Sequence, residues 1–112
     1  MRLAKMLGAY TFSTIYSAMP EARATVATGH ASIAKALCAG IEAATETTEQ
    51  GVVYSSPVML RYLLSAEPDE GFQIGDVIIV TMTATGVEHS LRIMARSVSD
   101  VVVRLTLEAV NR

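Results

Sequence analysis

The run Thr28-Gly29-His30-Ala31-Ser32-Ile33-Ala34-Lys35-Ala36-Leu37-Cys38-Ala39-Gly40-Ile41-Glu42-Ala43-Ala44 decides how the rest of the chain is read. Ile33, Leu37 and Ile41 recur at every fourth position, which places them on one stripe of a helix. Almost every other position is Ala, Gly, Ser or Cys, so neighbouring backbone can approach on most sides. Lys35, Glu42 and Glu46 fall within a narrow arc at about 100° per residue, a solvent window. The spacing predicts a central helix over 28–45, with Thr28 or Gly29 as N-cap and Gly51 as the stop.

Working outward, residues 2–8 predict a short lead-in helix. Residues 9–17 alternate Tyr10, Phe12, Thr14 and Tyr16 against Ser13, Ile15 and Ser17, the period of a strand. Pro20 ends it, and residues 18–26 form a connection with a turn of helix or a short extended piece. Beyond Gly51 the period is two throughout. Residues 52–65 predict a strand in which Pro57 marks an edge, bulge or break. Pro68-Asp69-Glu70-Gly71 is a turn. Residues 74–85, 89–98 and 101–110 predict three strands of a meander. Ile78, Val80, Met82, Leu91, Ile93, Val103, Leu105 and Leu107 line its apolar face. Arg92, Arg96 and Arg104 lie on the other.

The 112 residues suffice for one domain, and 51% of them are hydrophobic, a composition that buries a core and does not stay disordered. A net charge of −2 gives no basic face for nucleic acid. The single cysteine rules out an internal disulfide and makes a reducing cytoplasm the default. Arg2 and Lys5 sketch the start of a signal peptide, but Tyr10-Thr11-Phe12-Ser13-Thr14 is too polar for its apolar core. No stretch has the length to span a bilayer. A second copy of the chain is the natural cover for any leftover apolar surface. The expected architecture is α+β, a curved antiparallel sheet of about five strands wrapped round one helix.

From about residue 9 onward the chain resembles the hotdog superfamily of acyl-CoA thioesterases, dehydratases and non-catalytic relatives. The resemblance is carried by Thr28-Gly29-His30 at the helix start, Pro57-Val58-Met59-Leu60-Arg61-Tyr62-Leu63, the turn ending in Gly71, and Ile74-Gly75-Asp76-Val77. It implies a homodimer with sheets joined edge to edge, or a homotetramer, holding an acyl thioester at the subunit interface. The helix N-terminus would face the thioester carbonyl, where free N–H groups stabilise a developing oxyanion. No cofactor is implied beyond acyl-CoA as substrate or ligand, and no metal.

On this chain the resemblance makes His30 the polarising or general acid/base residue and Thr28 a positioning residue. Glu42, the one carboxylate inside the predicted helix, is the candidate acid. Gly29, Ser32, Arg61 and Tyr62 would contact the ligand. Ala31 and Ser32 replace the glycines of the His-Gly-Gly branch, and its acid falls near Ala39. In the fluoroacetyl-CoA thioesterase-like branch the Glu falls near Ala36 and the His near Arg61. Two functions follow: thioester hydrolysis through His30, or an acyl-ligand-binding module without catalysis. The plain alternatives are N-capping for Thr28, a solvated face for Glu42 and a buried filler for Cys38. A histidine phosphocarrier is a third and more distant reading. The interval to Ser56 is too short for its two strands, and the chain ends on a strand, not a helix.

Overall fold

A computed structural model describes residues 2–29, 31–40, 57–68, 71–99 and 101–110. Helix α1 spans Arg2–Ala18 and a 3-10 turn follows at Pro20–Ala22. Then come β1 (Arg23–Ala27), β2 (Ser32–Ala39) and β3 (Val58–Leu63). A second 3-10 turn at Leu64–Ala66 leads on to β4 (Val77–Met82), β5 (Glu88–Ser99) and β6 (Val102–Ala109). Among the described residues these six strands close into an antiparallel barrel in the order β1-β2-β3-β6-β5-β4. The seam between β4 and β1 pairs Ala24 with Met82 and Ala27 with Ile79.

This overturns the expected architecture. No sheet wraps a long central helix; residues 32–39 of the predicted helix are strand β2. The cause is a bulge. Ala24 pairs with Ala36 but Val26 pairs with Ile33, so Thr25 faces both Ala34 and Lys35. One extra residue shifts the phase of β2. Ile33, Ala36 and Cys38 therefore enter the barrel, while Leu37 is buried on the outside. A strand with a mid-length phase shift presents apolar residues at intervals of three and four, the spacing read as helical. Its small residues suit a crowded barrel wall as well as they would suit a buried helix.

The second correction is at the N-terminus. The strand predicted over 9–17 is the second half of α1. Phe12, Ile15 and Tyr16, at positions i, i+3 and i+4, pack with Leu37 and Val102, whereas Tyr10 is 70% exposed. Aromatic and β-branched residues favour strands only weakly when a helical face is offered a partner. The predicted lead-in helix over 2–8 is present and simply continues.

The meander is as predicted: β4 pairs with β5 and β5 with β6. Ile78, Val80, Leu91, Ile93, Val103, Leu105 and Leu107 are fully buried. Pro57 directly precedes β3, and Gly71, with φ 66°, donates to the Pro68 carbonyl at 2.8 Å. A bulge in β5 alters one expectation. Ile93 pairs with Leu107 and Ala95 with Thr106, so Met94 is the extra residue. Beyond it Arg96 pairs with the buried Leu105. Opposed residues in an antiparallel pair share a face. Arg96 thus leaves the outer face where simple alternation puts it and turns toward the barrel's end.

Candidate functional site

One cross-strand row on the outer wall runs Arg23 (β1), Leu37 (β2), Arg61 (β3), Arg104 (β6), Ser97 (β5). Helix α1 lies over this row. Arg23 holds the helix end: its Nε donates to the Tyr16 carbonyl at 2.6 Å and its Nη2 to the Ser17 carbonyl at 3.0 Å. A cation placed on the last carbonyls of a helix also meets the negative end of its dipole. Arg23 and Lys35 further lie 5.0 and 5.6 Å from the Tyr16 ring centroid, within cation–π range.

Arg61 and Arg104 are not occupied in this way. They stand directly opposite each other and make no hydrogen bond or ion pair with another described residue. Between them and the helix is a cavity of about 210 Å³ lined by Thr11, Phe12, Ile15, Arg61, Ser99, Val102 and Arg104. Among the described residues its wall therefore combines two guanidinium groups, two hydroxyls and three apolar side chains, with no carboxylate. Opposite Cα atoms in an antiparallel ladder are about 4.5–5.5 Å apart, so two like charges are held close at an energetic cost. That cost becomes an attraction for an anion.

A second polar cluster closes one end of the barrel. Glu67 accepts from the Tyr62 hydroxyl at 2.5 Å and pairs through its other oxygen with Arg96, also at 2.5 Å. The Tyr62 ring is fully buried and meets Phe72 edge-on at 6.1 Å. Burial first, then the hydrogen bond and the charge of Glu67, push the Tyr62 phenol well above its ordinary value. Every polar group here has a partner, so the cluster holds the end of the barrel and offers no reactive atom. Cys38 is likewise quiet. Burial pushes its thiol up to about 11, and the thiolate needed of a nucleophile is scarce at neutral pH.

The residues singled out in the sequence do not converge. Thr28 and Gly29 lie in the β1–β2 hairpin loop. The Thr28 N–H donates to the Ala31 carbonyl at 2.8 Å, and Thr28 Oγ1 accepts from the Ala31 N–H at 3.1 Å. Its capping chemistry thus serves a turn, not a helix. Ser32 is exposed at the start of β2, roughly 17 Å along the strand from Leu37, which neighbours Arg61. Tyr62 points into the barrel, so it and Arg61 occupy opposite faces of β3. His30 and Glu42 lie outside the described residues. Residues 32–39 are strand β2, so the helix start expected just before them to polarise a carbonyl is not formed.

No family model, curated protein or solved structure matches this chain. The hotdog resemblance therefore gains no support from relatives, and the barrel removes its structural basis. Among the described residues, no group of His, Cys, Asp and Glu has the arrangement of a metal site, and no helix is long and apolar enough to cross a membrane. Sequence reasoning found Arg61 and noted Arg104 as an outward-facing arginine. What it lacked was the β3–β6 pairing that brings them together across 43 residues of chain.

Proposed function

We propose that this chain is a ligand-binding barrel without catalytic function, and that the cleft beneath α1 takes a small anion carrying an apolar body. The observation that supports it is the pairing of Arg61 with Arg104 beside Phe12, Ile15 and Val102. Two cations with no acidic partner among the described residues, next to an apolar wall, favour a ligand with one charged end and one greasy end. An acyl chain on an acidic carrier, acyl-CoA included, satisfies that description. Hydrolysis does not follow, because among the described residues the cleft lining pairs no nucleophile with a general base. The single, buried, unpaired cysteine accords with a reducing compartment such as the cytoplasm.

The test is thermal stabilisation by a short-chain acyl-CoA, by CoA and by a fatty acid, read alongside release of free thiol. Stabilisation that disappears in Arg61→Gln and Arg104→Gln, with no thiol released, is the expected result. Turnover would overturn the non-catalytic reading. Stabilisation unchanged in both variants would remove the cleft from binding.

A further inference from the structure

We infer that the charged end of the ligand is a phosphoryl group, gripped by Arg61 and Arg104 together; this rests on the cleft being the binding site. Geometry is the first reason. The two arginines leave adjacent strands in register and on one face, and both line the same cavity beside the β3–β6 ladder. A carboxylate is planar with two oxygens, which one guanidinium fork engages in parallel. A phosphoryl group is tetrahedral, and three free oxygens accept from both forks with capacity left for a hydroxyl. Thr11 of α1 and Ser99 of β5 supply hydroxyls at the same cavity.

Charge is the second reason. Among the described residues the lining holds two cations and no acid. A phosphate monoester carries about −1.5 to −2 at pH 7 and balances both, whereas a carboxylate leaves one guanidinium uncompensated. Neighbouring cations are already employed elsewhere: Arg23 on the end of α1, Lys35 over Tyr16 and Arg96 on Glu67. Size is the third reason. A cavity of about 210 Å³ exceeds the share of several waters, about 30 Å³ each in the liquid, so a phosphoryl group leaves room beside it. Phe12, Ile15 and Val102 face that remaining space, which suits a ring or short chain. The ligand class is thus a phosphate monoester with a compact apolar substituent. Because Thr11, Phe12 and Ile15 come from the helix and the arginines from the barrel, the same ligand fastens one to the other.

The experiment is calorimetric titration of the full chain at low salt with phenyl phosphate, benzenesulfonate, benzoate and inorganic phosphate. Phenyl phosphate is expected to bind at least tenfold more tightly than each of the other three. Arg61→Gln and Arg104→Gln should each weaken it tenfold or more. Arg61→Lys and Arg104→Lys, which keep the charge but lose the fork, should retain part of the affinity and serve if the Gln variants fail to fold. Benzoate equal to phenyl phosphate, with both lost in the arginine variants, overturns the phosphoryl assignment and leaves the anion-binding cleft standing. Phenyl phosphate binding unchanged by either substitution overturns both, as does no binding of any probe. Sedimentation with phosphatidate vesicles without binding of phenyl phosphate would assign the arginines to a lipid surface and also overturn the inference.

Discussion

Arg61 and Arg104 face each other across the β3–β6 ladder, two like charges in register with no acid among the described residues of the cleft. Such a pair costs about 0.2–1 kcal/mol relative to neutral neighbours. Arg104→Gln is therefore expected to raise stability in low salt by an amount of that order, and the midpoint of thermal unfolding by a few degrees. In about 1 M salt, where charges are screened within about 3 Å, the gain should shrink. A variant that is less stable than wild type at every salt concentration would show that the pair is not repulsive.

Tyr62 gives a second prediction, at high pH. Its phenol is held above the ordinary value of about 10, so between that value and the folded one the native state keeps a proton that the unfolded chain has released. The contribution is present below pH 10 and lost as pH rises above it, with a slope of up to about 1.4 kcal/mol per unit. Tyr62→Phe should cost about 1 kcal/mol near neutrality through the lost bond to Glu67, and should lack that slope. Urea unfolding of both proteins from pH 7 to 11 checks it; parallel curves would contradict the assignment.

Helix and barrel rest on separate apolar clusters. Phe12 packs with Leu37 and Val102, whereas Leu105 belongs to the barrel interior. Phe12→Ala removes a contact of about 3–5 kcal/mol and should release α1 while the barrel persists. An undocked helix of 17 residues is marginal in water and will fray. Hydrogen exchange should then show fast amides in α1 and protected ones in β3 and β6. Leu105→Ala should instead lower protection throughout. Equal loss of protection everywhere in Phe12→Ala would mean that the two clusters are one cooperative unit.

Gly40 follows β2 with φ 87°, and a Cβ placed there would lie 3.0 Å from the Pro57 carbonyl oxygen. At Gly71, with φ 66°, the nearest atom is a Glu67 carboxylate oxygen at 3.5 Å, an ordinary van der Waals distance. Both replacements by Ala incur the left-handed penalty of about 1–2 kcal/mol. Only Gly40→Ala also drives backbone against backbone, which adds about 1 kcal/mol or more. Denaturant midpoints should rank Gly71→Ala above Gly40→Ala, and the reverse order would refute this account.

The meander was legible because Ile78 to Met82 and Val103 to Leu107 alternate without interruption, and burial follows that alternation. Two elements were not. In β2 a single inserted residue breaks the period, and Ile33 and Leu37 then imitate a helical stripe although they lie on opposite sides of the wall. In α1, Phe12 and Tyr16 fit a strand by residue type and a helix by spacing, and only the partner surface of Leu37 and Val102 selects between them. The cleft was half legible. Alternation turned Arg61 and Arg104 outward, but which strands adjoin is a property of the closed ring and not of either segment.

The seam of the barrel has a consequence for synthesis. Residues 24–27 are bonded to 79–82 and residues 58–63 to 102–107, so the ring cannot shut until β6 has been made. Until then the inward residues of β3 and β5 that adjoin β6 have no partner strand on that side. Contacts so far apart in sequence form slowly and leave apolar surface open to wrong partners. Among the described strands β6 is therefore the one that shuts the ring, by pairing with both β3 and β5, and a chain cut short before residue 102 cannot complete that step.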